Sequence, residues 1–292
     1  MDKTKVLKAG KIASEVREYS RSFVKKDMLL IDIANKMEEK MFELGGKPAF
    51  PTCLSVNEIA AHATPAYNDL RIAEGILKID FGVHIDGWIA DTAFSIDLEN
   101  SAENKKIIHA SEEGLKAGIK LMKEGARLGE IGEAIGGKIE SLGFSSIGNL
   151  SGHSVEHYVL HAGVSIPNYN NKSPEILEEG LYAMEPFATP GNGKVRDGKP
   201  SGIYRIVDGR NVRSQIAREI LEFVIEEYQT LPFCARWLVK KFGTKALIGL
   251  KHLEENGNIH SYPELIETSG KKVAQTEHTI LVEKDNIIVT TA

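Results

Sequence analysis

Two aspartates in one predicted hairpin have the type and spacing to hold metal ions together. The stretch 76–98 alternates apolar with other side chains at a period of two, on both sides of an Asp86-Gly87 dipeptide that is typical of a type I′ turn. With a two-residue loop, Asp80 lies opposite Ala93, and Asp91 lies two residues from Ala93 on the same strand. Both carboxylates therefore share one face of the hairpin, as diagonal neighbours roughly 7–8 Å apart.

The other face of this hairpin is apolar, which is typical of a sheet that covers a core. It carries Leu77, Ile79, Phe81, Val83, Ile85, Trp88, Phe94 and Ile96. The two aspartates therefore point away from the main apolar layer. Two anions held so close require a cation between them or a proton on one of them. The hairpin alone is equally compatible with a pair of solvated aspartates.

Composition predicts a globular protein of a reducing compartment. Its 292 residues are 42% apolar and 26% charged, and the net charge of −5 argues against a surface dominated by phosphate binding. The two cysteines, Cys53 and Cys234, lie far apart, which excludes a cysteine metal site. The first residues form no apolar run typical of a signal peptide or membrane span, so we expect a cytoplasmic protein without membrane contact.

Two pairs of helices must position the hairpin. Before it, apolar spacing predicts two helices, of which the second begins near Leu30 and ends at Gly45. After it, one helix is capped by Ser101, and another begins near Leu128 and ends at Gly143. The positions Leu30 and Leu128 are 98 residues apart, and so are Gly45 and Gly143. We interpret this match as an internal duplication.

The strand that follows each helix pair repeats as well. Asp80 and Glu185 each lie five residues after the glycine of a Glu-Gly pair, and His62 and His161 occupy corresponding connecting segments. The pattern predicts a pseudo-symmetric α+β domain in which carboxylates from both halves meet at the centre.

Residues 195–272 depart from the repeat and predict an inserted helical subdomain. Apolar spacing there indicates three helices and a short extended segment, over residues 217–228, 233–242, 245–255 and 259–262. The last segment is again rich in β-forming residues, and it places Glu277 as the second-half counterpart of Asp91.

Five residues from these strands form a candidate metal site: Asp80, Asp91, His153, Glu185 and Glu277. Four carboxylates and one imidazole suit a pair of divalent first-row ions, and cobalt, manganese, iron and zinc are all compatible. Metal coordination lowers the pKa of water from 15.7 to about 7. A hydroxide between the ions would therefore be the expected nucleophile.

Four segments resemble, in order and spacing, the signature segments of the methionine aminopeptidases, which have the pita-bread metallopeptidase fold. They are LKIDFGVHIDGWIADTA, NLSGHSVEHYVLHAGVSIPN, AMEPFAT and AQTEHTILVEK. The resemblance covers essentially the whole chain, as one catalytic domain over residues 1–292. The insertion, which could be winged-helix-like, resembles that of the type 2 subfamily, and the short N-terminal part resembles its archaeal form. One departure is Thr276, where relatives commonly carry phenylalanine.

The resemblance implies that the protein removes the N-terminal methionine of nascent chains when the second residue is small. In this assignment Asp80 holds one ion, His153 and Glu185 hold the other, and Asp91 and Glu277 bridge the two ions. Glu185 would also pass a proton from the attacking water to the leaving amine.

The resemblance implies that four residues contact the substrate. His161 would donate a hydrogen bond to the scissile carbonyl or to the developing oxyanion. His62, Phe187 and Tyr262 would line the substrate pocket, as the resemblance implies.

Two other functions stay open. A peptidase that acts beside proline has the same five ligands but usually a separate N-terminal domain, for which the 79 residues before Asp80 leave no room. A non-catalytic ribosome-associated relative would typically lose metal ligands, whereas all five are present. The lysines of the insertion could contact ribosomal RNA, but a solvated basic face balanced by nearby glutamates is the favoured interpretation, so nucleic-acid binding is not expected. We expect a monomer.

Overall fold

The computed structural model describes all residues from 1 to 292. It contains seven helices: α1 (Lys3–Phe23), α2 (Leu30–Glu43), α3 (Ala102–Ile119), α4 (Leu128–Ser141), α5 (Gln215–Glu227), α6 (Ala235–Phe242) and α7 (Ala246–Glu255). None of these helices combines the length and the apolar character that a bilayer crossing requires.

The strands form one large sheet and two small ones. They are β1 (Lys47–Pro48), β2 (Cys53–Val56), β3 (Ile59–Ala61), β4 (Ile76–Ile85), β5 (Trp88–Asp97), β6 (Ser145–Ser146), β7 (Ser151–Val155), β8 (Ser165–Pro167), β9 (Gly180–Met184), β10 (Phe187–Thr189), β11 (Val195–Ile206), β12 (Phe233–Cys234), β13 (Ile259–Glu267), β14 (Ala274–Gln275), β15 (Glu277–Glu283) and β16 (Asn286–Val289).

The large sheet joins two similar halves at its centre. Its nine antiparallel strands follow the order β1-β4-β5-β15-β9-β7-β8, with β2 paired to β4 and β16 to β15. Helices α1 and α2 pack on β4 and β5 in a core of 18 buried residues, and α3 and α4 pack beside β9 and β15 in a core of 17. The predicted α+β arrangement with two related halves is confirmed.

The central hairpin has the predicted register. Asp80 pairs with Ala93 across β4 and β5. Asp86 and Gly87 have φ angles of 46° and 83°, which is the left-handed conformation that a type I′ turn requires at both positions. The apolar face packs on α1 and α2, except that Trp88 packs with a separate cluster of buried residues beside β7 and β9.

The inserted helices begin and end within two residues of the predicted bounds, but the sequence did not indicate strand β11. This strand pairs along its length with β13, in a four-stranded sheet of order β12-β11-β13-β3. Two breaks in the register flank Pro200, and the segment VRDGKPSGIYRI also carries two glycines. Proline and glycine inside a run of β-forming residues normally argue against a strand. For this reason the sequence did not indicate β11. The bounds 195–272 for a subdomain stay a prediction.

A buried ion pair ties the inserted helices to α2. The guanidinium of Arg236 donates hydrogen bonds of 2.7 and 2.8 Å to the carboxylate of Glu38, and both residues are only 6% exposed. The indole of Trp237 donates to the same carboxylate, and Arg236 also donates to the carbonyl of Pro65. The backbone N–H of Thr52 also donates to this carboxylate, at 3.3 Å, so its hydrogen bonds come from both sides of the junction.

We expect that Arg236→Met lowers the free energy of unfolding by about 3–5 kcal/mol, because it leaves the charge of Glu38 buried without its partner. Denaturant unfolding of the two proteins measures this difference. The control is Lys251→Ala, which removes an exposed pair with Glu255 and should change stability by no more than about 0.5 kcal/mol. Equal stabilities of the two variants would contradict the prediction.

Candidate active site

One cavity brings together every residue that the sequence analysis singled out for metal or substrate binding. Its volume is about 370 Å³. The predicted residues that line it are His62, Asp80, Asp91, His153, His161, Glu185, Phe187, Tyr262 and Glu277. Their roles stay predictions, while their convergence is a property of the fold.

A row of four directly opposed positions crosses the sheet and places the carboxylates of Asp80 and Glu277 on one face. Cys53 on β2 pairs with Asp80, Asp80 pairs with Ala93 on β5, and Ala93 pairs with Glu277 on β15. Directly opposed residues point to the same face of a sheet. Ala93 therefore leaves a gap between two carboxylates, and Asp91 lies on the same face two residues along β5.

The second half of the sheet supplies the remaining donors. His153 lies on β7, and Glu185 directly follows β9, its neighbour. The Nε2 atom of His153 is 3.7 Å from Oδ2 of Asp91 and 3.8 Å from Oε1 of Glu185. One donor atom from each of Asp91, His153 and Glu277 lies within 4.8 Å of the others. These separations are those of groups that can share an ion.

The carboxylates of the cavity destabilise one another's ionised forms. Burial raises the pKa of Asp80 from 3.8 to about 7. Burial, reinforced by the neighbouring carboxylates, raises the pKa values of Asp91, Glu185 and Glu277 well above their ordinary range. A cation in the cavity would remove this penalty, because it favours the charged form of every carboxylate around it.

Two buried oxygen atoms point to the same conclusion. Oδ1 of Asp80 and Oδ1 of Asp91 accept no hydrogen bond from the protein. An unsatisfied buried carboxylate oxygen is costly, so such atoms normally face a ligand. Four carboxylates with one imidazole form a donor set that suits first-row divalent ions. The residues present therefore fit the metal ions that the sequence predicted.

The histidines of the cavity are held neutral. The ring of His153 contacts that of His161 edge to face, with centroids 4.2 Å apart. Burial and the neighbouring His161 lower the pKa of His153 to about 3 and that of His62 to about 4, and burial also lowers the pKa of His161. A neutral imidazole can coordinate a metal through one nitrogen and donate a hydrogen bond through the other.

Another wall of the cavity combines a histidine with aromatic residues. His62 follows β3 with a φ of 63°, and its ring lies edge to face with Tyr262 at 5.6 Å. Tyr262 is on β13, so the sheet of the insertion forms this wall. Phe187 is fully buried and borders the cavity from the opposite half.

The sequence did not indicate a role for Gln275, which contacts two of the predicted ligands. Its side-chain amide donates to Oδ2 of Asp80 at 3.2 Å and to Oε2 of Glu185 at 3.5 Å. Its backbone N–H donates to Oγ of Ser95, and its carbonyl accepts from the same hydroxyl. Gln275 thus joins carboxylates from the two halves of the molecule. Its position two residues before Glu277 was the only available signal.

The pseudo-two-fold sheet, the two helix pairs and the carboxylate-lined cavity define a protein of the pita-bread class. Residues 4–284 match the sequence profile of metallopeptidase family M24. The methionine aminopeptidase of Pyrococcus horikoshii is 46% identical over 296 residues, which cover 100% of both chains. The chain therefore belongs to metallopeptidase family M24.

Solved structures agree with this fold. One described as a thermophilic Arx1 has a TM-score of 0.87 at 16% identity and covers 98% of this chain and 89% of that one. The methionine aminopeptidase of Thermotoga maritima has a TM-score of 0.72 at 23% identity, with 100% and 98% coverage. At these identities the structures establish the fold alone.

In the metal-free protein, we expect the free energy of unfolding to fall as pH rises above 6.5. The folded carboxyls have raised pKa values, such as about 7 for Asp80, so the folded chain holds protons that the unfolded chain has already released. Histidines with lowered pKa values act in the opposite direction only below their ordinary value of 6.5. Denaturant unfolding at several pH values measures the slope.

The variant Asp91→Asn provides the control for this prediction. It removes one ionisable group from the cluster, so its metal-free form should show a shallower slope, and added Mn²⁺ should reduce the slope in the unsubstituted protein. A stability that increases with pH above 6.5 in the metal-free protein would contradict the expectation.

We expect Gln275→Leu to weaken Mn²⁺ affinity by about 10–100-fold, because it removes the donor that orients Asp80 and Glu185. Calorimetric titration of the metal-free protein gives the affinity. The matched control is Gln215→Leu, at the exposed start of α5, which should bind as the unsubstituted protein does. If the two variants bind Mn²⁺ equally well, Gln275 does not orient the ligands.

Proposed function

We propose that the protein removes the N-terminal methionine from peptides and nascent chains whose second residue is small, by metal-dependent hydrolysis of the first peptide bond. The observation that carries this proposal is the 46% identity, over the full length of both chains, with a relative named methionine aminopeptidase. The carboxylate-rich cavity supports it, because it supplies the donors that such a hydrolysis needs.

We further propose two divalent ions per chain. Asp91, His153 and Glu277 form a group of donors within 4.8 Å of one another, and Asp80 and Glu185 line the same cavity. Five donors with four carboxylates exceed what one ion requires, and carboxylates readily bridge two. Bound ions would supply Lewis acidity and activate water at neutral pH. Cobalt, manganese, iron and zinc all suit this set.

Glu185 and His161 are proposed to handle the proton and the developing charge. Glu185 borders the cavity at the end of β9, and bound cations would keep its carboxylate ionised, so it could accept a proton from water and release it to the leaving amine. His161 is neutral, because burial lowers its pKa, and a neutral ring can donate a hydrogen bond to the scissile carbonyl oxygen.

His62, Phe187 and Tyr262 are proposed to hold the substrate. They line the cavity from β3, β10 and β13, so the pocket has walls from both halves and from the insertion. A volume of about 370 Å³ lies at the small end of the range for ligand sites, which is roughly 300–1,000 Å³. This size agrees with a short N-terminal segment as the bound part. Ribosome contact, a cytoplasmic location and a monomeric state stay predictions.

The proposal is tested with metal-free protein and with protein reloaded separately with Co²⁺, Mn²⁺, Fe²⁺ or Zn²⁺. We expect cleavage of Met-Ala-Ser only after reloading, with two ions bound per active chain by elemental analysis. Cleavage of Ala-Pro in preference to Met-Ala-Ser would favour a peptidase that acts beside proline. A fully metallated protein that cleaves neither peptide would be a binding protein instead.

We expect His161→Ala to lower kcat on Met-Ala-Ser by about 10²–10³-fold, the usual cost of losing one oxyanion donor. KM should change little, since the hydrogen bond strengthens mainly in the transition state. The control is His252→Ala, on the exposed side of α7, with no expected effect. A large rise in KM at unchanged kcat would assign His161 to substrate binding alone.

A further inference from the structure

A second cavity lies between α2 and the inserted helices. Its volume is about 330 Å³, and it shares no lining residue with the active-site cavity. Its walls come from α2, α5 and α6, and its floor from the start of β1 and the end of β4. This volume falls within the range of small-molecule sites, which is about 300–1,000 Å³. Nothing in the proposed peptidase reaction uses it.

Aromatic side chains line this cavity from three elements. They are Phe42, Phe223, Tyr228 and Trp237. Phe42 is 57% exposed, and the rings of Tyr228 and Trp237 are 5.3 Å apart. Aromatic rings that border a cavity favour a planar aromatic ligand, because contact between rings covers apolar area on both partners.

The charges of the cavity leave an excess of cations. Two of its basic groups are already paired, Arg236 with Glu38 and Lys47 with Glu227. Lys240 and Lys241 have no carboxylate partner, and the Lys241 ammonium instead lies 4.2 Å from the ring centroid of Phe223. The remaining acid is Glu39, so the lining carries one net positive charge and favours an anionic ligand.

His84 adds a buried donor at the floor. This residue is only 6% exposed, and its Nδ1 accepts a hydrogen bond of 3.0 Å from the backbone N–H of Gly87. Burial lowers the pKa of His84 to about 4, so at neutral pH the single ring proton is on Nε2. No group of the chain accepts a hydrogen bond from that atom, and His84 lines the cavity, so Nε2 is free to donate to a bound ligand.

We propose that this cavity binds a small molecule that combines a planar aromatic ring with an anionic group, of the size of a nucleoside monophosphate. The ring lies among the aromatic walls, the anion contacts Lys240 and Lys241, and an acceptor atom receives the hydrogen bond from His84. Nucleotides and aromatic carboxylates both combine a planar aromatic ring with an anionic group, and the experiment distinguishes these two classes of ligand.

The test uses the fluorescence of Trp237. The chain has two tryptophans, and the other, Trp88, packs on His157 at 4.8 Å, away from this cavity. In the full-length variant Trp88→Phe, Trp237 is the sole reporter. We expect saturable quenching by AMP or by phenylacetate, and the tighter of the two identifies the source. Adenosine and inorganic phosphate, which each lack one of the two features, should bind at least about tenfold more weakly.

Two double variants show whether the lysines bind the anion. Lys240→Ala with Lys241→Ala should weaken the tighter probe by about tenfold or more, since hydrogen bonds to charged groups are worth that much. The matched control, Lys245→Ala with Lys251→Ala, removes two lysines of the same insertion that do not line the cavity and should have no effect. Thermal unfolding checks that both proteins fold alike.

A third variant tests the floor of the cavity. His84→Phe keeps a ring of similar size but removes the donor, so it should also weaken the probe. The proposal is overturned if neither probe quenches saturably, if adenosine or phosphate binds as tightly as the probe, or if the first double variant binds like its control.

Discussion

The structure depends on holding four carboxylates together where water cannot screen them. Burial raises the pKa values of Asp80, Asp91, Glu185 and Glu277, so each of these groups opposes the ionisation of the others. Flexible segments would relieve this repulsion by moving apart. Strands cannot, because their side chains are fixed by the register of the sheet, and helices packed on the opposite face resist any slip. Because the rigid sheet keeps the carboxylates together, a bound cation relieves their repulsion, and this relief favours cation binding.

Two residues determine the spacing of the carboxylates within this cluster. Ala93 lies between Asp80 and Glu277 in the central row, where a larger side chain would fill the space between the two carboxylates. Gln275 links Asp80 to Glu185 across the two halves, and its backbone is fixed in turn by Ser95. Ala93 leaves space between the carboxylates, and the amide of Gln275 holds Asp80 and Glu185 near each other. The geometry of the cluster is therefore determined in part by residues that would not themselves bind metal.

The sequence predicted the features that depend on local or periodic patterns of residues. The register of the hairpin followed from Asp86-Gly87, and the helix bounds followed from apolar spacing and from caps such as Ser101. It could not predict β11, because Pro200 and its neighbouring glycines conceal a strand that a distant partner, β13, stabilises. The pairing of Ala93 with Glu277 and the contact of Gln275 with Asp80 were also hidden, since each joins segments more than 180 residues apart. Such long-range contacts produce no periodic pattern in the sequence of either segment.

The insertion is physically part of the wall of the carboxylate-lined cavity. Strand β13 carries Tyr262 and pairs with β3, which ends immediately before His62. Arg236, on α6, donates to the carbonyl of Pro65 three residues beyond His62 and is fixed by Glu38 of α2. Both ends of the segment that bears His62 are therefore held by inserted elements. Helix α6, which contributes Arg236 to this hold, also provides part of the wall of the second cavity, so one inserted helix borders both cavities' supporting elements.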